Sequence, residues 1–209
     1  METLLFNAQQ PDAVSQAAAW LGQGQLVAFP TDTVYGVGVA AFNAAAIERL
    51  YQAKKRPYSK GIPILLADPA DLDKVSQNIP AAARRLMTRF WPGPLTLILP
   101  RHPHLPANIS PNESIAVRIP DCDVARALIR AAGGAVAATS ANQSGQPPAQ
   151  TGVEALAALA GVVTAVLDDG PAPGGVPSTI VTFTEGNPRI IREGPITVTD
   201  LSQAGVSAT

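Results

Sequence analysis

A single α/β domain built on one twisted sheet is the fold that the sequence predicts. Two observations carry that expectation. Aliphatic runs of strand length interleave with segments of helical periodicity along most of the chain, without a regular repeat. The 20 prolines and 17 glycines fall between those runs and not in one tract, so they mark turns and not a low-complexity linker.

Residues 11–21 predict a first helix: Pro11 stands near its start, Val14, Ala17, Ala18 and Leu21 share a face, and Gly22 closes it. Residues 25–29 form a short apolar strand. It runs into Pro30-Thr31-Asp32-Thr33-Val34-Tyr35-Gly36-Val37-Gly38, where three small polar side chains lie between a proline and two glycines. Residues 44–51 are helical, with Ile47, Leu50 and Tyr51 on one face. Pro57 ends that helix, so Lys54, Lys55 and Arg56 lie at or just past its C-terminus. Residues 62–66 make a buried strand, 68–75 a helical turn, and 80–90 a helix facing inward through Ala83, Leu86, Met87 and Phe90. A turn at Trp91-Pro92-Gly93-Pro94 enters a strand from Leu95, and a Pro-rich loop with His102 and His104 follows. Residues 114–119 alternate as a strand, 124–132 are a helix ended by Gly133-Gly134, and 135–138 are a strand leading into Thr139-Ser140-Ala141-Asn142-Gln143-Ser144-Gly145. A helix at 153–159, a strand at 162–167 and a strand pair at 177–182 and 188–194 complete a domain expected over residues 1–195. Residues 196–209 are expected to be a loose C-terminal tail.

Hydrophobic residues are 46% of the 209 and charged residues 15%, enough for a large core and without the signature of disorder. The net charge of −1 argues against a protein spread along bulk nucleic acid, so any anion binding must be local. The single cysteine, Cys122, excludes an internal disulfide and a thiolate cluster, and between Asp121 and Asp123 it reads as structural. His102 and His104 have no third ligand near them in sequence, so no protein metal site is expected. No basic-then-apolar leader is visible and no apolar run approaches ~18–20 residues, so a cytoplasmic protein without membrane contact is expected.

The chemistry lies in the two small-polar loops and in four separated cations, Lys54, Arg56, Arg118 and Arg192. Each alone admits a structural explanation: cations suit helix C-termini, and short polar residues satisfy turns and caps. Arg118, among Ile115, Ala116, Val117 and Ile119, is exposed on an edge strand, held in a salt bridge, or aimed at an anionic ligand. Four cations on one cavity would repel one another unless anions neutralise them, and that points to a polyanion such as a triphosphate. Neither a P-loop nor a G-x-G-x-x-G fingerprint is present, so a nucleotide would be bound by a less common architecture.

Six segments, in order, resemble the threonylcarbamoyl-AMP synthase family in its single-domain form. They are Pro30 to Gly36, Lys54-Lys55-Arg56-Pro57, Trp91 to Thr96, Ala116 to Pro120, Ser140 to Gly145 and Ser178-Thr179-Ile180-Val181, and the resemblance spans roughly residues 10 to 195. The pairs Lys54/Arg56 and Ser140/Asn142 are its most specific part. The resemblance implies a YrdC-like α/β fold, a twisted mixed sheet with flanking helices around a large basic cavity. It also implies a nucleotidyltransferase that condenses L-threonine, bicarbonate or CO2, and ATP into threonylcarbamoyl-AMP and pyrophosphate, for tRNA threonylcarbamoyladenosine formation. Thr33, Arg118, the Ala138 backbone and Ser178 are then expected to hold threonine. Arg56, Lys60, Ser114, Ser140, Asn142 and Arg192 are expected to contact ATP, with Lys54 and Arg56 as the catalytic charges. Mg²⁺ is expected with ATP, and hand-over of the product to the tRNA threonylcarbamoyl transferase complex is implied. Relatives carry a histidine where Leu65 stands here and an asparagine where Lys60 stands; longer ones add a second C-terminal domain. The competing readings are a paralogue making another carbamoyl-adenylate and a non-catalytic RNA-binding or ribosome-maturation module.

Overall fold

Alternate residues of the central strands enter two separate cores, and that alternation builds the molecule. A computed structural model describes residues 2–183 and 188–208; Met1 and Thr209, at the outer ends of the expected domain and tail, lie outside the described residues. In chain order the elements are β1 (Leu4–Asn7), α1 (Ala13–Gly22), β2 (Val27–Phe29), β3 (Gly36–Ala40), α2 (Ala44–Lys54), β4 (Ile64–Leu66), α3 (Ala81–Phe90), β5 (Leu95–Pro100) and β6 (Ser114–Arg118). They continue with α4 (Asp123–Ala131), β7 (Ala135–Ser140), α5 (Gly152–Leu159), β8 (Ala165–Asp168), β9 (Thr179–Thr182), β10 (Arg189–Arg192) and α6 (Val198–Gln203). Short 3-10 turns at Pro69–Lys74 and Ala107–Ile109 fill two connections.

The strands form one mixed sheet in the order β1-β8-β2-β3-β7-β4-β6-β5-β9-β10. On one face Ala28, Ile64, Leu66, Leu97, Val117 and Ala137 pack under α2, α3, α5 and α6. On the other face their neighbours Val27, Phe29, Leu65, Val136 and Ala138 pack with Leu21 of α1 and Leu128 and Ile129 of α4. None of the buried residues of this second cluster comes from β5, β6, β9 or β10, so the two helices cover only part of that face. The uncovered part is where a cavity can open. Gly38 lets β3 lie close against β7, because a Cβ there would stand 2.6 Å from Val136 Cγ1.

The helix ends follow the sequence signals. The Asn43 side chain caps α2 by accepting from the Ala46 N–H at 3.0 Å, and Lys55 closes it in the left-handed region at φ 46°.

Two expectations change. β1, absent from the sequence reading, is an edge strand parallel to β8, with Leu4 and Leu5 exposed and Phe6 edge-on to Trp20. A half-exposed edge strand shows no period-two alternation to detect. The segment expected to be a loose tail instead makes α6, with a Thr197/Asp200 capping box and Leu201 and Val206 buried in the first core. A six-residue helix is too short to announce itself in sequence, yet Leu201 and Val206 fill a site against the sheet side that carries α3. Leu201→Ala is expected to cost about 2–4 kcal/mol by cavity formation. An unchanged urea midpoint would mean that this helix does not contribute to the core.

Candidate active site

A cavity of about 210 Å³ lies on the uncovered sheet face, lined among others by Thr33, Arg56, Leu65, Arg118, Ala138, Ser140, Ser178 and Arg192. Of the residues singled out from sequence, seven are on its wall: Thr33, Arg56, Arg118, Ala138, Ser140, Ser178 and Arg192. Three guanidiniums line it, and among the described residues no carboxylate does. Burial lowers the pKa of each of these arginines, and for Arg192 the nearby Arg118 charge adds to the effect. Both causes disfavour crowded cations in a half-desolvated space, and a bound anion offsets both by favouring the charged form.

Arg118 ends β6, which lies between β4 and β5, so the edge-strand alternative falls away. Its side chain is 7% exposed and pairs with Asp32, itself 11% exposed. Nε donates to the Gly93 carbonyl at 3.0 Å and Nη1 to Thr33 Oγ1 at 2.9 Å, while Nη2 donates to Asp32. A guanidinium has five N–H groups, so one on each terminal nitrogen remains, enough for a carboxylate at the mouth of the fork. Thr33 is fixed in turn. Thr31 donates to the Val34 carbonyl at 2.6 Å, so in the 3.0 Å contact between Thr31 and Thr33 the Thr33 hydroxyl is the donor.

The other wall residues are held as tightly. Arg56 donates to the carbonyls of Lys60 at 2.9 Å and Gly61 at 2.6 Å, which sets its head toward the cavity. Arg192 donates to the Ser178 carbonyl at 2.8 Å and to Ser178 Oγ at 3.2 Å, and Ser178 Oγ pairs with Thr96 Oγ1 at 2.7 Å. Ala138 donates its N–H to the Pro63 carbonyl at 2.9 Å. Facing residues of an antiparallel pair normally exchange two such bonds, but a proline has no N–H to return. The Ala138 carbonyl is thereby left as an acceptor on the cavity wall. Leu65, Val34 and Ile180 supply apolar surface there.

Four sequence candidates lie off this wall. Lys54 is buried and turned into the loop after β7, donating to the Ser140 carbonyl at 2.7 Å, to Asn142 Oδ1 at 2.9 Å and to the Asn142 carbonyl. Burial first, and the Arg56 charge second, bring its pKa down to about 8. Asn142 takes part through that contact, accepting also from Ser140 Oγ at 2.7 Å. The Lys60 side chain is exposed, and its carbonyl is what holds Arg56. Ser114, whose hydroxyl donates to Asn112 Oδ1 at 2.7 Å, shares the sheet face of Arg118 but sits four residues away, about 13 Å along a strand. The cationic cavity is therefore built from three of the four expected cations, with Lys54 beneath its wall.

Asp32, Thr96 and the Gly93 carbonyl were not anticipated as site residues. Asp32 was visible as part of a polar loop, but its partner is 86 residues away in the chain. Cys122 is half-buried, and burial pushes its thiol pKa up, in keeping with a structural role. His102 and His104 lie edge to face at 4.7 Å, and no group of three metal-binding side chains occurs among the described residues. Among the described residues, no helix is long and apolar enough to cross a membrane.

Comparison with known proteins now carries weight. The model of the Sua5/YciO/YrdC family, whose description reads "Telomere recombination", matches residues 19–194. The chain belongs to this family. It is 41% identical over 186 residues to the threonylcarbamoyl-AMP synthase of Bacillus subtilis, covering 88% of this chain and 54% of that protein. It is 39% identical over 165 residues to the threonylcarbamoyl-AMP synthase of Alkalilimnicola ehrlichii, covering 77% of this chain and 84% of that protein. The crystal structure of P. abyssi Sua5 complexed with L-threonine superimposes with a TM-score of 0.93 at 32% identity, over all of this chain and 63% of that one. The chain thus spans about half of the B. subtilis protein and less than two thirds of the P. abyssi chain. The YrdC-like mixed α/β fold expected from the six segments is the fold observed.

The Asp32–Arg118 pair makes a stability prediction. Asp32→Ala leaves a buried guanidinium without its counter-ion and is expected to cost about 3–5 kcal/mol. A wild-type urea midpoint with an unchanged slope would mean that Arg118 does not depend on Asp32.

Proposed function

We propose that this chain forms L-threonylcarbamoyl-AMP and pyrophosphate from L-threonine, bicarbonate or CO2, and ATP, as a nucleotidyltransferase serving tRNA threonylcarbamoyladenosine formation. The observation that carries this reading is a cavity lined, among the described residues, by three guanidiniums and no carboxylate, beside an apolar patch and an unreturned backbone carbonyl. A small zwitterionic amino acid and a polyphosphate together match that set. The P. abyssi Sua5 of the same fold is complexed with L-threonine in its crystal structure.

The two free N–H groups of Arg118 would take the amino-acid carboxylate, with the hydroxyls of Thr33 and Ser178 beside it. The Ala138 carbonyl would accept from the amine, and Leu65 and Val34 would shelter the methyl group. Arg56, Ser140 and Arg192 would contact the ATP phosphates, and Ser114 and Lys60 would stand further out along the nucleotide. The amine nitrogen bonds to the carbon of CO2 and gives up a proton, yielding a carbamate. A carbamate oxygen then bonds to the α-phosphorus as the bond to pyrophosphate breaks, the electron pair leaving with pyrophosphate. Fixed guanidiniums aimed at the phosphates stabilise that charge without reorganising, which is most of what such a transfer needs from protein. Mg²⁺, which would neutralise phosphate charge, would be carried by phosphate oxygens and water, since no carboxylate among the described residues lines the cavity. The product would pass to the tRNA threonylcarbamoyl transferase complex.

Pyrophosphate release by the purified protein tests this. Release that needs both L-threonine and bicarbonate is the expected result; ATP binding without threonine-dependent release would point to a paralogue with another substrate, and RNA binding without ATP binding to the RNA module. Arg118→Lys removes the fork and should raise the KM for threonine about tenfold or more while changing that for ATP far less. An equal loss for both substrates would take Arg118 out of the threonine site.

A further inference from the structure

We propose that Lys54 is a positioning residue, holding the loop that carries Ser140 to the cavity wall, and that it makes no contact with the reacting phosphates. The role in turnover rests on the reading of the cavity as a nucleotide site; the role in holding the loop does not.

An ammonium has three N–H groups. In Lys54 all three have acceptors, and all three lie at the end of β7 and the start of the loop after it: the carbonyls of Ser140 and Asn142 and the Asn142 side-chain oxygen. Lys54 is 4% exposed and is absent from the cavity wall, whereas Arg56 and Ser140 are on it. The network closes on itself. Asn142 Oδ1 also accepts from Ser140 Oγ, Asn142 Nδ2 donates to the Gln146 carbonyl, and the Ala141 N–H donates to the Tyr35 carbonyl at 2.7 Å. Swinging the ammonium toward a phosphate would leave the Asn142 carbonyl, which has no other hydrogen-bond donor among the described residues, unpaired in a buried loop, and would take a charged donor from the Ser140 carbonyl and from Asn142 Oδ1. Placement at the end of α2 serves the same purpose, because the left-handed Lys55 turns the chain so that Lys54 points to the loop while Arg56 points to the cavity.

Hydrogen exchange on the ligand-free chain, comparing wild type with Lys54→Met and Asn142→Ala, tests the loop. Amides of residues 141–149 are expected to exchange about tenfold faster or more in both variants, with α4 unchanged. Unchanged exchange in 141–149 would overturn the proposal; if Lys54→Met does not fold, Asn142→Ala decides alone by the same criterion. A double-mutant cycle on turnover tests the route. Each single variant should raise the KM for ATP about tenfold with the KM for threonine nearly unchanged, and the double variant should be no worse than the worse single. Additive losses, or a fall in kcat for Lys54→Met with KM for ATP intact, would put the ammonium on the reacting phosphates and overturn the proposal. Should the wild type release no pyrophosphate, the proposed function fails while exchange still decides the role of Lys54.

Discussion

The buried pairing of Arg118 with Asp32 is the constraint on which the site depends. It joins the end of β6 to the loop between β2 and β3, across a sheet in which β3, β7 and β4 intervene. The same guanidinium takes the Gly93 carbonyl ahead of β5 and the Thr33 hydroxyl, so one side chain at the end of β6 draws two loops to the floor of one cavity. A charge this deep is stable only with its counter-ion and its hydrogen bonds in place. Here those partners also orient what is left of the fork.

Around that pair, the cavity follows from incomplete layering. α1 and α4 bury Val27, Phe29, Val136 and Leu167 but reach no buried residue of β5, β6, β9 or β10. The outward positions Thr96, Arg118 and Ile180 of those strands are therefore available to line a space. A proline at residue 63 adds a backbone acceptor by failing to return one hydrogen bond to Ala138. Polar groups are thus supplied by sheet geometry as much as by side-chain identity.

The paired signatures Lys54/Arg56 and Ser140/Asn142 separate into two jobs. Arg56 and Ser140 face the cavity, while Lys54 and Asn142 bond to each other behind it. Their spacing in sequence shows that the residues come in pairs. It does not show that alternate members point in opposite directions, because Lys55 turns left-handed and the loop after β7 folds back on itself.

The sequence by itself determined the element types, the mixed α/β class and most of the polar residues that line the cavity. Those signals are local: period-two runs for strands, apolar faces for helices, proline and glycine at the turns, and small polar residues at strand ends. Tertiary structure alone decided three things. Arg118 proved buried and paired because its carboxylate lies on a loop distant in the chain. Lys54 proved to be beneath the wall because its acceptors are 86 and 88 residues further on. The last segment proved docked because Leu201 and Val206 find a site on the first core. Each depends on which distant groups meet once the sheet is assembled, and a local pattern carries no record of that.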